Sequence, residues 1–471
     1  MGQKLTRPAL AILIAIAATA LTLVCFSPHY VLWRGLRVPE AWWYPEVNRA
    51  VGVLEQVEHP FATVQNQSNR GLQWRLLIPL IGYVLRLPPG AVLAIPMFGS
   101  VIVLAYIAHR VLRDGGGVMA ALAATIAIAA CPWFFVSTGW LGYGDSLAVL
   151  GLLLVAFASS RAVVIGACAL APFVDERFVF GLPLAVVVRI VYLDRFSAPS
   201  GDARRRDLVA ILVPTLIIIA IRAVTVLMHR DPNSVGYLHE RGMELGVPEM
   251  TVAKCARAAW SALRSGWGLV AIACWLGLRR NRMGGWMLVA TTALTTIAAM
   301  FTSADLSRNL LVLVPAAALG AVLMQRDRWP KRATQLVTAL ALLNLFLPAR
   351  IVVTKFENAV TGLKGELDWF ENPPKEVDVR YWLDRARAES SRNELAAARH
   401  SLDNVVALEP ENPDALLIAG RASLALGDRD SARQRLHHAL TIAPDSWPGR
   451  AECSTLLSQL DEPATRPSTR P

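Results

Sequence analysis

The sequence predicts an all-α protein with a multi-span transmembrane helical bundle followed by a small soluble helical domain. Two observations predict the bundle: 54% of the residues are hydrophobic against 18% charged, and apolar runs alternate with short arginine-rich loops. Such a composition, with a mean hydropathy of +0.41, is typical of polytopic membrane proteins. A third observation predicts the soluble domain, because the composition changes to that of soluble helices after Pro373-Pro374.

The positive charge of the chain indicates its orientation. The net charge is +11, and many arginines lie in loops between apolar runs. Because cytoplasmic loops of membrane proteins accumulate Arg and Lys, this charge predicts membrane topology, and we expect no nucleic-acid partner. The loop Tyr192–Asp207, with four arginines, is the strongest cytoplasmic mark.

The first apolar run, Pro8–Phe26, follows Lys4 and Arg7. It is long for the core of a signal peptide, and no A-x-A-like cleavage site follows it. We therefore expect an uncleaved first helix with its N-terminus in the cytoplasm. A long outer loop over 27–73 carries a tryptophan-rich stretch that is expected to anchor it at the membrane interface, or alternatively to bind a sugar or lipid.

Apolar runs between charged flanks predict about eleven spans, which puts the C-terminus outside the cytoplasm. The runs are 8–26, 90–107, 118–135, 147–159, the two halves of 163–191, 208–227, 267–278, 285–301, 309–324 and 333–346. An amphipathic helix over 69–88 is expected to lie along the outer surface or to dip into the membrane before the next span. The polar stretch 229–265 is expected to form a second outer loop.

The stretch Ala171–Arg189 places Asp175, Glu176 and Arg177 inside an apolar run. Charges at membrane depth are costly and usually face a protein interior or a wet cavity. Each apolar half is short for a full crossing, so we predict a hairpin of two short helices with an acidic tip facing a wet, outward-opening cavity. Pro183 is expected to break the helix after the tip. The alternative is an exposed turn without chemistry.

Further polar residues are predicted on the same outer face. Asp145 precedes an apolar run in TGWLGYGD and is expected to be the N-cap of the next helix. Arg222 is embedded in a later run, and Asp305 lies three residues before Arg308 in a short outer turn. Asp305 and Arg308 can pair at that spacing, as Glu176 and Arg177 could at the hairpin tip.

A 34-residue repeat lies near the C-terminus. Ala398 and Ala432 are one period apart, and the same spacing separates Leu402 from Leu436 and Pro410 from Pro444. The pattern of helix, Gly-containing turn and helix resembles the tetratricopeptide repeat over about 381–460. Such repeats bind peptides or pack helices, so we expect an extracytoplasmic protein or peptide as a possible partner.

These patterns divide the chain into four parts. We predict a membrane domain over 1–350, a linker over 351–380, the repeat domain over 381–460 and a disordered tail over 461–471, which is rich in Pro, Thr and Arg.

The sequence lacks the motifs of ATP-driven transporters and of soluble hydrolases, which disfavours both functions. It contains no GxGxxG, P-loop, HExxH or GxSxG motif, and neither its histidines nor its six scattered cysteines have metal-ligand spacing. We therefore expect no metal and no cofactor.

The layout of the first 350 residues resembles polytopic glycosyltransferases of the GT-C fold. The features that carry the resemblance are a long first outer loop ending in RLLIPLIGYVLRLP, the segment GYGDSLAVLGLLL, the hairpin VDERFVFGLPL and the late turn SADLSRNLLVLVP. This resemblance implies transfer of a sugar from a polyprenyl-phosphate donor to an acceptor on the outer face. It also implies that the bilayer lipid and the lipid-linked sugar are partners.

In that family an acidic residue of the first outer loop removes the acceptor proton, and basic residues hold the lipid phosphate. This loop contains no aspartate, so Glu46 or Glu40 would have to be the base. Asp175 and Glu176 are further acidic candidates. The resemblance implies phosphate binding by Arg177, Arg222 or Arg308, beside the acids Asp145 and Asp305.

Two other hypotheses remain open at the level of sequence. The chain could be a non-catalytic membrane anchor or scaffold whose repeat domain binds an extracytoplasmic partner, which the missing loop aspartate favours. It could also carry a lipid-linked sugar, which would need a central polar cavity. All three hypotheses share an integral, multi-pass membrane location with a cytoplasmic N-terminus.

Overall fold

The structure is a computed structural model that describes most of the chain. The described residues are 6–26, 45–61, 75–193, 201–228, 251–300, 305–326, 330–353, 357–360, 362, 382, 386, 389, 395–408, 410–425 and 427–461. The chain separates into two compact units, which are described in turn; the helix Pro45–Glu58 is given with the first unit, to which its residues 49–58 belong.

The first unit is a bundle of helices. The helices are α1 (Arg7–Cys25), α2 (Pro45–Glu58), α3 (Leu77–Leu85), α4 (Pro89–Arg113), α5 (Val118–Ala129), α6 (Pro132–Gly139), α7 (Asp145–Phe157), α8 (Arg161–Leu170), α9 (Arg177–Tyr192), α10 (Gly201–Met228), α11 (Val252–Leu263), α12 (Trp267–Arg280), α13 (Arg282–Met300), α14 (Leu306–Asn309), α15 (Val314–Gln325) and α16 (Pro330–Phe346). Short 3₁₀ turns follow α8, α11 and α14, at 171–173, 264–266 and 310–313.

Helix α15 forms the centre of this unit. Every one of its residues is buried, and it packs against α4, α5, α7, α9, α12 and α16. Its contact with α12 is close because Gly320 has no side chain: a Cβ there would lie 1.9 Å from the carbonyl oxygen of Leu269. The core around it is built mainly from Ala, Val, Leu, Ile and Phe, and α15 itself is apolar from Val314 to Met324.

Five helical segments in the described residues are long and apolar enough to cross a membrane. They are Arg7–Cys25, Pro89–Arg113, Val252–Arg280, Arg282–Met300 and Leu306–Gln325. The pair α5 and α6 would add a sixth span if counted as one, although the two helices are bent by 77°. The count from length and hydropathy is therefore five or six, whereas the sequence predicted about eleven.

Three elements differ from the sequence-based prediction. The expected span 118–135 is broken at Cys131, because Pro132 cannot continue the preceding helix. Pro183 does not break the hairpin helix, since α9 runs through it from Arg177 to Tyr192. Part of the expected outer loop 229–265 is helical, because α11 occupies Val252–Leu263, where Thr251 caps its N-terminus. Residues 229–250 lie outside the described part.

The first unit also contains a β-hairpin that the all-α prediction did not include. Strand β1 (Ala349–Val352) pairs antiparallel with β2 (Glu357–Val360), with Ala349 opposite Val360. The hairpin begins just before the predicted linker. Ser307 fixes it to the bundle, because its hydroxyl accepts a hydrogen bond from the Val352 N–H at 2.9 Å.

The second unit contains four described helices: α17 (Leu395–Leu408), α18 (Pro413–Ala425), α19 (Arg429–Ile442) and α20 (Arg450–Asp461). The described residues of 382–461 contain no strand. Ala398 and Ala432 are fully buried, as the 34-residue period predicted. Gly420 lets α18 approach α19, since a Cβ there would lie 2.8 Å from the Leu436 side chain.

Candidate functional site

The candidate site is a network of charged side chains at the tip of the α8–α9 hairpin. Its members are four carboxylates and four guanidiniums, and we call it the charge network: Asp145, Asp175, Glu176, Asp305, Arg49, Arg75, Arg177 and Arg308. The numbers of positive and negative groups are equal. A bundle can hold so many charges in its interior only when they compensate one another.

The turn before α7 brings Asp145 into the network. Gly142 has φ +79°, and a Cβ at Gly144 would lie 2.7 Å from the Val174 side chain at the hairpin tip. Two glycines in GYGD therefore allow the turn and the hairpin to meet closely. Ser146 then fixes the start of α7, since its hydroxyl donates to the Pro96 carbonyl of α4 at 2.6 Å.

Asp145 is the centre of the network. It is fully buried, and it accepts hydrogen bonds from Arg177 at 2.7 Å and from Arg308 at 2.6 and 3.0 Å. The prediction that Asp145 caps a helix is wrong: Gly144 holds the N-cap position and no side chain caps the helix. The Asp145 carboxylate instead accepts hydrogen bonds from the two buried guanidiniums of Arg177 and Arg308.

The hairpin tip supplies the next members. Arg177 binds Asp175 through two side-chain contacts of 2.8 and 2.5 Å, and Asp175 is 1% exposed. Glu176 accepts from Arg75 at 2.9 and 3.3 Å, and Arg75 also lies 3.3 Å from Asp175. The ion pairs at the tip thus run from Glu176 to Arg75 and from Arg177 to Asp145 and Asp175, instead of joining Glu176 to Arg177.

Arg49 and Tyr143 complete one side of the network. The Arg49 guanidinium lies 3.8 Å and the Arg308 guanidinium 4.3 Å from the centroid of the Tyr143 ring, as cation–π contacts require. Arg49 Nε donates to the Gly142 carbonyl at 3.2 Å. Its Nη2 is buried without a hydrogen-bond partner in the described part of the chain.

The exposed edge of the network is acidic. The Glu176 side chain is 33% exposed and that of Asp305 is 28% exposed, whereas Asp145, Asp175, Arg177 and Arg308 are almost completely buried. The predicted pair of Asp305 with Arg308 is present at 2.5 Å. Glu176 and Asp305 are therefore the most accessible acids of the network, while Arg75, with 15% of its side chain exposed, is also reached directly.

Three predicted site residues cannot be located in the network. Glu40 lies outside the described residues, while Glu46 lies on α2 and Arg222 on α10 with side chains outside the described part. The remaining six predicted residues come together, and Arg49, Arg75 and Tyr143 were not predicted. A search of the described residues finds no group of His, Cys, Asp and Glu that could hold a metal ion.

A second charged region fixes the opposite end of the hairpin. Arg189 is twelve residues after Arg177 on α9, about 18 Å away along the axis. Its guanidinium donates to the Ala158 carbonyl at 2.6 Å and pairs with Asp207 at 3.4 Å. Helix α8, with ten residues, spans about 15 Å, half of a hydrocarbon core of about 30 Å. Helix α9, with sixteen residues, is longer, at about 24 Å.

The repeat unit carries a separate surface. On α18, residues at helical spacing are exposed: Asp414, Arg421 and Ala425. Arg421 pairs across to Glu452 of α20 at 3.0 Å, with both side chains about half exposed. The opposite face of α18 packs on α17 and α19. We call this exposed face the α18 surface.

The fold and these two surfaces define a helical protein with apolar helices of membrane-spanning length and a C-terminal repeat unit. Residues 391–460 match the tetratricopeptide repeat family. No match was found among curated proteins or among solved structures. The C-terminal assignment from the 34-residue period is therefore confirmed.

Proposed function

We propose that the chain is a multi-pass membrane protein that binds a protein partner through its tetratricopeptide region. The observation that supports this proposal most directly is the repeat at 391–460, since such repeats generally bind proteins or peptides. The α18 surface offers a partner both charges, Asp414 and Arg421, on one helix face. The apolar helices of the first unit support attachment to a membrane.

Site-specific photocrosslinking tests this proposal in the full-length protein. A crosslinker at Arg421 should capture one defined protein in the native membrane. The same crosslinker at His438, which is exposed on α19, provides the control. Equal capture from both positions, or capture at neither, would contradict binding at the α18 surface.

The proposed topology has about eleven crossings, with the N-terminus in the cytoplasm and the repeat unit outside. The short apolar helices Asp145–Phe157 and Arg161–Phe173 would supply some of the crossings beyond the five or six long ones. This topology would present the charge network at the outer face, and the loop 192–207 at the inner face.

A second candidate function is glycosyl transfer from a polyprenyl-phosphate sugar, as the resemblance to the GT-C fold implies. One observation favours it: the charge network combines guanidiniums with two partly exposed carboxylates at the hairpin tip. Arg49 Nη2, buried without a partner among the described residues, could donate to a phosphate oxygen.

The chemistry of this candidate divides between a base and a phosphate site. The acceptor oxygen would bond to the anomeric carbon while the bond from that carbon to the phosphate oxygen breaks. A carboxylate would take the acceptor proton, and arginines would stabilise the departing phosphate. Asp145 and Asp175 are bound by arginines and almost completely buried, so they suit positioning better than proton transfer, whereas Glu176, although bound by Arg75, is 33% exposed. Glu46, Glu40 or the accessible Glu176 would have to be the base.

Incubation of the purified protein with labelled polyprenyl-phosphate sugars tests this candidate. If it is correct, Glu176→Gln lowers transfer while Glu357→Gln, a control on the β-hairpin, does not. Unfolding must be measured beside activity, because loss of Glu176 also leaves Arg75 with one acid fewer. Absence of transfer in the parent protein with every sugar and acceptor tried, together with a destabilised Glu176→Gln, would reject the transferase and leave the protein-binding proposal.

A further inference from the structure

A groove lies at the end of the bundle opposite the charge network. It is lined by the end of α12, the end of α15 and the start of α16, and its cavity volume is about 360 Å³. Arg326, directly after α15, binds Asp114 and the Tyr192 carbonyl, which ties this end to the end of the α8–α9 hairpin. The groove therefore lies on the side that the arginine-rich loops predict to be cytoplasmic.

The walls of this groove are apolar. Ile272 and Leu276 of α12 face Met324 of α15 and Leu336 of α16 across it. Leu336 is half-exposed, as is Trp275 beside it. Exposed apolar walls of this kind face acyl chains when the helices lie in a bilayer.

The rim of the groove is positively charged. Arg279 at the end of α12 and Arg332 at the start of α16 both line it, and none of its eight lining residues is acidic. Arg279 lies 4.1 Å from the centroid of the Trp275 ring, so the guanidinium is held above the apolar wall. Tryptophan rings settle at the level of lipid headgroups, which places the rim at that level.

We propose that this groove binds an anionic phospholipid of the inner leaflet. The acyl chains would pack against the apolar walls, and the headgroup phosphate would accept hydrogen bonds from Arg279 and Arg332. Basic pockets between transmembrane helices on the cytoplasmic side bind lipids with anionic headgroups in this way. This inference goes beyond partner binding and sugar transfer, and it depends on the membrane location and the orientation proposed above.

Native mass spectrometry of the purified full-length protein with added phosphatidylglycerol or phosphatidylcholine tests the proposal. The parent protein should retain phosphatidylglycerol in preference to phosphatidylcholine. Arg279→Gln and Arg332→Gln should each weaken retention about fivefold, since one basic residue near an anionic lipid contributes about 1 kcal/mol. Arg113→Gln is the matched control, because Arg113 is an exposed arginine at the end of α4 on the same side.

Two further variants separate the contribution of the positive charges from that of the apolar walls. Arg279→Lys with Arg332→Lys keeps both charges and should keep most of the preference for phosphatidylglycerol. Leu336→Trp fills the groove from the apolar side and should weaken retention although both arginines remain. Equal retention of the two lipids by the parent protein would overturn the proposal, as would unchanged retention in the double glutamine variant.

Inorganic phosphate distinguishes a lipid site from a phosphate site. At millimolar concentration it should leave the bound phosphatidylglycerol in place, because it cannot use the apolar walls. Complete displacement by phosphate would show that the acyl chains contribute nothing and would overturn the lipid proposal. Flotation of the protein with phosphatidylcholine vesicles checks the membrane location on its own, so its failure is distinguishable from failure of the lipid site.

Discussion

Replacement of Asp145 by Asn is the most direct test of the charge network. The substitution keeps the shape of the side chain but removes the negative charge between two buried guanidiniums. Three hydrogen bonds reach the Asp145 carboxylate, from Arg177 and Arg308, at 2.6 to 3.0 Å. The network, with four positive and four negative groups, would gain a net charge of +1 in the variant.

The size of the effect follows from the partners that remain. Breaking a buried ion pair by removing one partner costs about 3–5 kcal/mol. Arg177 keeps Asp175 and Arg308 keeps Asp305, so neither arginine is left without an acid. We therefore expect Asp145→Asn to lower the free energy of unfolding by about 3 kcal/mol, the lower end of that range.

Equilibrium unfolding by SDS in mixed micelles provides the assay. Glu357→Gln is the control, because Glu357 pairs with Arg257 and Arg350 at the surface and such pairs contribute about 0–1 kcal/mol. The double variant Asp145→Asn with Arg308→Gln removes one charge of each sign, and its loss should be smaller than the sum of the two single losses. An Asp145→Asn loss no larger than that of Glu357→Gln would refute the reasoning.

Three further predictions concern the repeat unit and the topology. Ala432→Leu should destabilise the second unit by about 1–3 kcal/mol because Ala432 is fully buried, whereas Ala425→Leu on the exposed α18 surface should not. Hydrogen exchange of α18 and α19 in the full-length protein measures both variants, and equal exchange in the two variants would contradict the packing. Hydrogen bonds from Ser431, and then the nearby Arg399, lower the pKa of Asp428, so its stabilising effect is present above the unfolded pKa and is lost as the pH falls through the lowered folded value. The protection factors of α19, which correct exchange for its intrinsic pH dependence, should thus fall in acid, and Asp428→Asn should flatten this dependence; an unchanged acid profile in the variant would assign the effect to other groups. A reporter that is active only outside the cytoplasm should be active when fused after Leu460, and activity of a cytoplasmic reporter there would invert the proposed topology.

Most of the charge network could be predicted from single residues, but its pairing could not. Charges inside apolar runs are costly, which identified Asp175 and Arg177 without any structure. Sequence spacing reveals only near neighbours, so it found the pair of Asp305 with Arg308. Asp145 and Arg308 are 163 residues apart, and their contact depends on how the bundle closes.

Other differences have local causes. Pro132 is a visible signal for the break between α5 and α6, but the prediction of one span followed the continuous apolar composition alone. Pro183 in α9 was interpreted as a breaker, in a segment that also contains Gly181; a Cβ at Gly181 would lie 3.0 Å from the Val312 side chain. Close packing explains the glycine without a helix break. The 34-residue repeat was predictable because the residues that pack adjacent helices together recur at a fixed spacing in the sequence.

The buried position of α15 has a consequence for the biogenesis of the protein. An apolar helix that is inserted into a bilayer usually moves from the translocation channel into lipid. In this protein, however, all of α15 is surrounded by other helices. It is synthesised after α4, α5, α7, α9 and α12, against all of which it packs. The earlier helices therefore cannot complete their packing around α15 until it has been synthesised, and the core of this unit closes only after most of the chain has been made.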